Sequence, residues 1–200
     1  MTSPLTRLAL AALLAAAVPA IAPAYAQTAL SDGQILQGLQ GLSEKAPTIT
    51  AQQLRTMVQT HMAQNPGEAL TRPSLALKLD QLPQINVQIQ FALNSPIIRP
   101  ESYQTIGSIA DALHHPLLLG SKFVITGNTD TTGNRKDNLA LSQARADAVL
   151  EALVTTFNVD PNRVEAVGLG EEALQDVQNP KDPINRRVQL INVGKYLPGK

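Results

Sequence analysis

The sequence predicts an α/β fold, a two-layer sandwich of order βαβαββ with a mixed four-stranded sheet, helices on one face and a helical N-terminal extension. Polar and apolar residues alternate without a break over 84–91, which is typical of a half-buried strand. Apolar residues recur at helical spacing over 103–113 and again over 137–157. Short apolar runs follow each of these stripes and predict the remaining strands.

The elements can be placed in chain order. Strands are predicted at 84–91, 122–126, 164–168 and 187–193. The first helix begins at Pro100 and ends before Pro116, because proline is tolerated at a helix start and stops a helix elsewhere. The second helix covers 137–157. Right-handed crossovers predict that the first and second strands, and the second and third, are parallel wherever they are adjacent.

The first 26 residues have the features of a secretory signal peptide. Arg7 is positive, residues 8–22 form an apolar run rich in Leu and Ala, and Ala24-Tyr25-Ala26 offers small residues at both cleavage positions. We therefore expect cleavage before Gln27 and a mature chain with no integral membrane span; a retained N-terminal anchor is the alternative. The sequence contains no Cys, which excludes disulfides and lipid attachment through a cysteine.

Three regions are predicted after the signal peptide. Residues 27–80 are rich in Gln and in Gly and Pro breakers and form the helical or flexible extension. Residues 81–195 form the domain that contains the predicted sheet, and residues 196–200 form a tail.

Two helices are predicted within the extension, at 32–41 and 51–64, and Thr50 is placed to cap the second. The apolar stripe of the second helix either docks on the domain or stays exposed in a mobile arm. His61 beside this stripe is interpreted as a solvated helix residue, because no second metal ligand stands one turn away.

The charges of the chain are balanced, with 16 basic and 16 acidic residues. Loss of the signal peptide removes Arg7 and no acid, which leaves 15 basic residues against 16 acidic ones. Neither nucleic acid nor an anionic membrane surface is therefore an expected partner. No cofactor and no metal site is predicted. Leu139 stands where a calcium-binding loop needs Glu, and the adjacent His114 and His115 cannot share one helix face as zinc ligands do.

The stretch Gly127-Asn128-Thr129-Asp130-Thr131-Thr132-Gly133 is a turn at the end of a strand, and a helix follows it. Asp130 lies in this turn, Asn138 lies near the helix start, and Arg145 stands fifteen positions after Asp130. A ligand with both an ammonium and a carboxylate could be held at both ends. Asp130 would accept from the ammonium, and Arg145 would donate two parallel hydrogen bonds to the carboxylate.

This order and spacing resemble the peptidoglycan-binding signature of the OmpA-like C-terminal domain family. The resemblance covers about residues 84–194 and includes the Leu-Ser pair at 141–142, the stretch 91–95 and Asn-Arg-Arg-Val at 185–188. It implies that Asp130 and Arg145 bind the diaminopimelate of the peptidoglycan stem peptide, with Asn138 and Thr129 beside them.

The same resemblance suggests further site residues on a weaker basis, namely Phe91, Asn94, Leu141 and Arg187. Arg186 and Arg187 are as well explained by structural ion pairs as by ligand contacts. One departure from the family pattern is Ala92, since many members have an acidic residue directly after this Phe. Any ligand contact made through that acidic side chain is lost here.

The resemblance implies a non-catalytic protein of the periplasm or cell envelope of a Gram-negative bacterium that binds peptidoglycan; association with the outer membrane is left open. Two other functions stay open. The first is an accessory subunit of a wall-acting enzyme, for which Asp130 would be the candidate general acid. The second is an adaptor in which residues 27–80 recruit an envelope protein partner.

Overall fold

The computed structural model describes residues 30–41, 49–66 and 74–196. The signal segment 1–26 and most of the tail lie outside the described residues, so the expectations for them stay predictions. Within the described ranges, no helix is both long enough and apolar enough to cross a membrane.

A mixed four-stranded sheet is the centre of the fold, as predicted. The strands are β1 (Gln84–Val87), β2 (Ser121–Asn128), β3 (Val164–Gly170) and β4 (Val188–Lys195), in the spatial order β1-β4-β2-β3. The adjacent strands β2 and β3 are parallel, as predicted for this pair. The last strand, β4, is inserted between β1 and β2 and is antiparallel to both.

The two crossover helices are α4 (Tyr103–His114) and α5 (Arg135–Glu151). A 3₁₀ turn that begins with Pro100 precedes α4. The helix α5 begins two residues before its predicted start, because the side chain of Asn134 caps it by accepting from the backbone N–H groups of Lys136 and Asp137. A single π-helical turn, Ala152–Thr156, continues α5 to one residue before the predicted end.

One face of the sheet packs against α4, α5 and the N-terminal helix α1 (Asp32–Leu39). The two crossover helices therefore lie on one side, as predicted. The largest fully buried side chains of this first core cluster are Phe123, Ile125, Ile106, Ile109, Leu113, Leu118, Leu153, Ile35 and Leu39. Since Ile35 and Leu39 precede the predicted domain, part of the extension belongs to the core.

The opposite face of the sheet is covered by α2 (Ala51–Gln64) and α3 (Ser74–Leu79). Here the second core cluster combines helix residues with sheet residues, including Leu54, Val58, Leu75, Leu79, Val124, Val167, Leu169 and Ile191. The bounds of α2 agree with the prediction, and Thr50 forms the predicted cap, within a reciprocal capping box with Gln53. Of the two alternatives for the stripe of α2, docking is the one observed. The boundary near residue 80 stays a prediction.

Two glycines let α5 lie unusually close to the sheet. A Cβ on Gly127 would overlap the backbone of Ser142, and a Cβ on Gly168 would overlap the backbone of Gln143. Because the helix lies so close, its side chains accept hydrogen bonds from backbone N–H groups on the open edge of β3. Gln143 Oε1 accepts from Gly168 N at 2.7 Å, and Ser142 Oγ accepts from Gly170 N at 2.8 Å. The start of α5 is thereby fixed against the ends of β2 and β3.

The chain leaves the sheet earlier than predicted, since β1 ends at Val87 whereas the alternation runs to Phe91. Phe91 instead forms an isolated antiparallel bridge with Ile98, and Ala92 N donates to Ile97 O at 2.8 Å. The segment 91–98 is therefore a loop of its own, and its tip includes Asn94 with a left-handed φ of 51°.

Candidate functional site

A cleft of about 670 Å³ opens at the end of the sheet where β2 ends and β4 begins. Its walls come from the segment after β1, the turn after β2, the first three turns of α5 and the residues before β4. All eight residues suggested by the sequence line this cleft, namely Asp130, Arg145, Asn138, Thr129, Phe91, Asn94, Leu141 and Arg187. The fold thus brings together residues from four separate stretches of the chain.

Asp130 is a buried carboxylate, and its side chain is only 6% exposed. Its Oδ1 accepts from the backbone N–H of Thr132 at 2.8 Å, which closes an Asx turn. Its Oδ2 accepts from Nη1 of Arg186 at 2.5 Å. Both carboxylate oxygens therefore have a protein partner. The ion pair with Arg186 joins the turn to the segment before β4, across 56 positions of sequence.

Arg145 is half-buried beside the aromatic ring of Phe91. The centre of its guanidinium lies 4.9 Å from the ring centroid, a cation–π arrangement, and its Nε–H donates to Ser95 O at 3.2 Å. Burial lowers the pKa of the guanidinium, and the charge of Arg186 lowers it further, while Asp130 opposes the shift. Among the described residues none accepts a hydrogen bond from the two terminal nitrogens of Arg145, so these donors remain for a ligand.

Asn138 and Thr129 shape the turn that carries Asp130. The Nδ2 group of Asn138 donates to the Asp130 carbonyl at 3.2 Å and to Oε2 of Glu171 at 2.7 Å. Thr129 N donates to Gly170 O at 2.9 Å. The hydroxyl of Thr129 is buried without a hydrogen-bond partner in the part of the chain that the structure describes.

The two arginines before β4 have different surroundings. Arg187 is buried, and its guanidinium donates to Ala173 O at 2.8 Å, Gln189 Oε1 at 3.2 Å and Asn185 O at 3.3 Å. Arg186 is half-exposed and forms the ion pair with Asp130. Arg186 lines the cleft although it was not among the residues assigned to the site from the sequence.

The three remaining candidates occupy different positions. Phe91 supports the guanidinium of Arg145, and Leu141 forms an apolar part of the wall of the cleft. Asn94 is exposed at the tip of the loop. Ala92, which stands where many family members have an acidic residue, also lines the cleft.

A second group of charged side chains lies behind the turn and connects α2 to the domain. Glu172 is almost fully buried, and its carboxylate accepts from Nε and Nη2 of Arg135 at 2.5 and 2.6 Å. His61 Nδ1 lies 2.6 Å from Oε2 of the same carboxylate. The interpretation of His61 as a solvated residue is therefore wrong, since it is only 19% exposed and pairs with Glu172. Arg135 also donates to Asn65 O at the end of α2.

Comparison with known proteins places these observations in a family. The model of the OmpA family matches residues 90–188. A peptidoglycan-associated lipoprotein of Legionella pneumophila is 32% identical over 146 residues, which are 71% of this chain and 74% of that protein. Outer membrane porin F of Pseudomonas fluorescens is 30% identical over 112 residues, 54% of this chain, and the chain spans 33% of the porin's length.

Solved structures include similar proteins. The crystal structure of the peptidoglycan-associated lipoprotein from Burkholderia pseudomallei is 32% identical, and the match covers 52% of this chain and 87% of that one with a TM-score of 0.43.

Proposed function

Because this chain belongs to the OmpA family, we propose that it is a non-catalytic cell-envelope protein that binds peptidoglycan through the diaminopimelate of the stem peptide. Its relatives in Gram-negative bacteria are named as peptidoglycan-associated lipoproteins or as outer membrane proteins. We therefore place the binding domain on the periplasmic side of the envelope, where the wall is accessible.

The observation that carries the proposal is the convergence of the family's Asp and Arg on one cleft. Asp130 comes from the turn after β2, and Arg145 comes from the third turn of α5. The cleft has room for the end of a peptide side chain, and its polar groups are fixed before any ligand arrives. Such preorganisation lowers the entropy that binding costs.

The chemistry of the cleft fits the free end of diaminopimelate, where one carbon bears both an ammonium and a carboxylate. The terminal N–H groups of Arg145 can donate two parallel hydrogen bonds to the carboxylate. Asp130 lies in the same cleft, where its carboxylate can accept from the ammonium. The ring of Phe91 and the contact to Ser95 O hold Arg145 in place for this interaction.

The surroundings of Asp130 support binding rather than catalysis. Its two oxygens accept hydrogen bonds from Thr132 N and Arg186 Nη1, so the carboxylate is built into the wall of the cleft. A general acid must instead present a proton to the leaving group. We therefore propose that the cleft holds the wall and takes no part in cleaving it.

The proposal can be tested by co-sedimentation of the protein with purified peptidoglycan sacculi, with and without free meso-diaminopimelate as competitor. Arg145→Ala should weaken binding by about 2–4 kcal/mol, since the ligand carboxylate then loses its charged partner. Arg145→Lys should also bind poorly, because an ammonium cannot donate the two parallel bonds. Asp130→Ala should weaken binding as well, since Asp130 anchors both the turn and Arg186.

Lys136→Ala is the matched control, because Lys136 is an exposed cation on the same helix outside the cleft lining. Circular dichroism and thermal unfolding would establish that each variant is folded. If folded Arg145→Ala and Asp130→Ala proteins sediment with sacculi as the parent does, the assignment of wall binding to this cleft is wrong.

A further inference from the structure

The cleft contains more positive than negative side chains, an excess that the Asp and Arg of the family motif alone do not show. Among the residues that the structure describes, five charged ones line it, namely Asp130, Arg99, Arg145, Arg186 and Arg187. Arg187 is buried and donates to protein oxygens. Arg186 neutralises Asp130. Arg99 is at the rim, about half exposed and 3.7 Å from Glu101. The positive charge that remains inside the cleft is that of Arg145.

We infer that the ligand carboxylate is the main determinant of recognition at this site, and that Arg186 makes the ligand ammonium secondary by occupying Asp130. This inference rests on the proposed function and names which end of the diaminopimelate group the cleft selects. It assigns to Arg186 a specificity role in which it competes with the ligand cation.

The contacts of Asp130 support this order. One oxygen is held by the Thr132 N–H at 2.8 Å and the other by Arg186 Nη1 at 2.5 Å. A ligand ammonium that approached this carboxylate would have to share it with a guanidinium that is already paired, and it would meet the repulsion of the Arg186 and Arg145 side chains. Because Arg186 already offsets the charge of Asp130 at hydrogen-bond distance, the attraction left for a second cation is weakened.

The surroundings of Arg145 favour an anion for the converse reason. Its guanidinium is half-buried and lies close enough to Arg186 for that charge to lower the pKa of Arg145. The positive charge of Arg145 is thus destabilised both by the loss of water and by the repulsion of Arg186. The attraction of an incoming carboxylate offsets both effects. Arg186 is half-exposed, so its guanidinium can also contact the ligand carboxylate without having to move out of a buried position.

The test uses three forms of a soluble stem tetrapeptide whose diaminopimelate keeps its side-chain end free. The first form is unmodified, the second has a carboxamide in place of that carboxylate, and the third has an acetylated amine. Isothermal titration calorimetry would measure the affinity of each form for the full chain and for the Arg186→Gln and Arg186→Lys variants. Thermal unfolding would check that the variants are folded.

For the parent protein, amidation should weaken binding by about tenfold or more, because a neutral amide leaves Arg145 without its charged partner. Acetylation of the amine should cost less than amidation. In Arg186→Gln the carboxylate of Asp130 is released, and the loss on acetylation should become larger than in the parent. Arg186→Lys is the matched control, since it keeps the positive charge beside Asp130 and should retain the order found for the parent.

The inference is overturned if acetylation costs the parent as much as amidation or more, or if Arg186→Gln leaves the acetylation penalty unchanged. Either result, obtained with a parent that still sediments with sacculi, leaves the proposed function intact. A parent that binds neither sacculi nor the unmodified tetrapeptide would overturn the proposed function together with this inference.

Discussion

Leu54→Ala tests whether the N-terminal extension is part of the folded core. Leu54 belongs to α2, it is fully buried, and it shares the second core cluster with Val167, Leu169 and Ile191 of the sheet. If α2 were a mobile arm, truncation of this side chain would have little effect. Because α2 is docked, we expect the substitution to destabilise the whole domain.

The magnitude follows from burial and from the rigidity of the opposing surface. Leu→Ala substitutions in protein cores cost about 2–5 kcal/mol, and the cost rises with the cavity that remains. The sheet side chains opposite Leu54 are themselves fully buried and held by strand pairing, whereas α2 is a surface helix that can move inward. We therefore expect about 3 kcal/mol, which corresponds to a fall in Tm of roughly 6–12 °C for a protein of this size.

Urea unfolding followed by circular dichroism would measure this change in the free energy of unfolding. The chain has no Trp, so far-ultraviolet dichroism is the appropriate signal. Leu77→Ala is the matched control, because Leu77 lies in α3 of the same extension but is 53% exposed, and its loss should change stability by about 0.5 kcal/mol or less. An equally small effect of Leu54→Ala would refute the docking of α2.

Two further substitutions test other parts of the fold. Gly168→Ala should destabilise by about 1–3 kcal/mol, because its Cβ would overlap the backbone of Gln143; Gly33→Ala, where a Cβ meets nothing within 4 Å, is the control in the same urea assay. Glu172→Gln should cost about 3–5 kcal/mol, since it breaks a buried, bidentate ion pair with Arg135. Unchanged urea midpoints would contradict each prediction.

The order of elements could be predicted from the sequence because each element carries its own periodicity. The alternation at 84–91 and the stripes of α4 and α5 depend on local spacing, and the parallel pairing of β2 with β3 follows from the handedness of crossovers. The insertion of β4 between β1 and β2 could not be predicted, since local patterns do not specify which strands pair. The short helix α3 was missed for a related reason, as six residues are too few to establish a helical period.

The residues that the extension packs against could not be predicted from the sequence either. An apolar stripe such as that of α2 shows that a face needs a partner, but it does not identify the partner. The pairing of His61 with Glu172 joins positions 111 residues apart, and no local motif marks it. The sequence therefore left docking and exposure as open alternatives, and recruitment of a protein partner by residues 27–80 stays a prediction.

The site shows the same division between local and distant information. Asp130, Asn138 and Arg145 lie within one turn and one helix, so their spacing could be read from the sequence. Arg186 lies far along the chain, and its partner is set by tertiary structure. Strand alternation could not separate Arg186 from Arg187, because β4 begins only at Val188 and both arginines precede it.

Two neighbouring residues, Glu171 and Glu172, connect the turn that carries Asp130 with the N-terminal helix α2. Glu171 accepts from Asn138, which also holds the Asp130 carbonyl, and Glu172 accepts from Arg135 and lies against His61 of α2. A substitution that displaces α2 therefore acts close to the turn that carries Asp130. For this reason both the stability and the wall binding of Leu54→Ala should be measured. A loss of wall binding at a temperature where the variant is folded would show that docking of α2 supports the site. A loss of stability alone would show that docking of α2 supports only the fold.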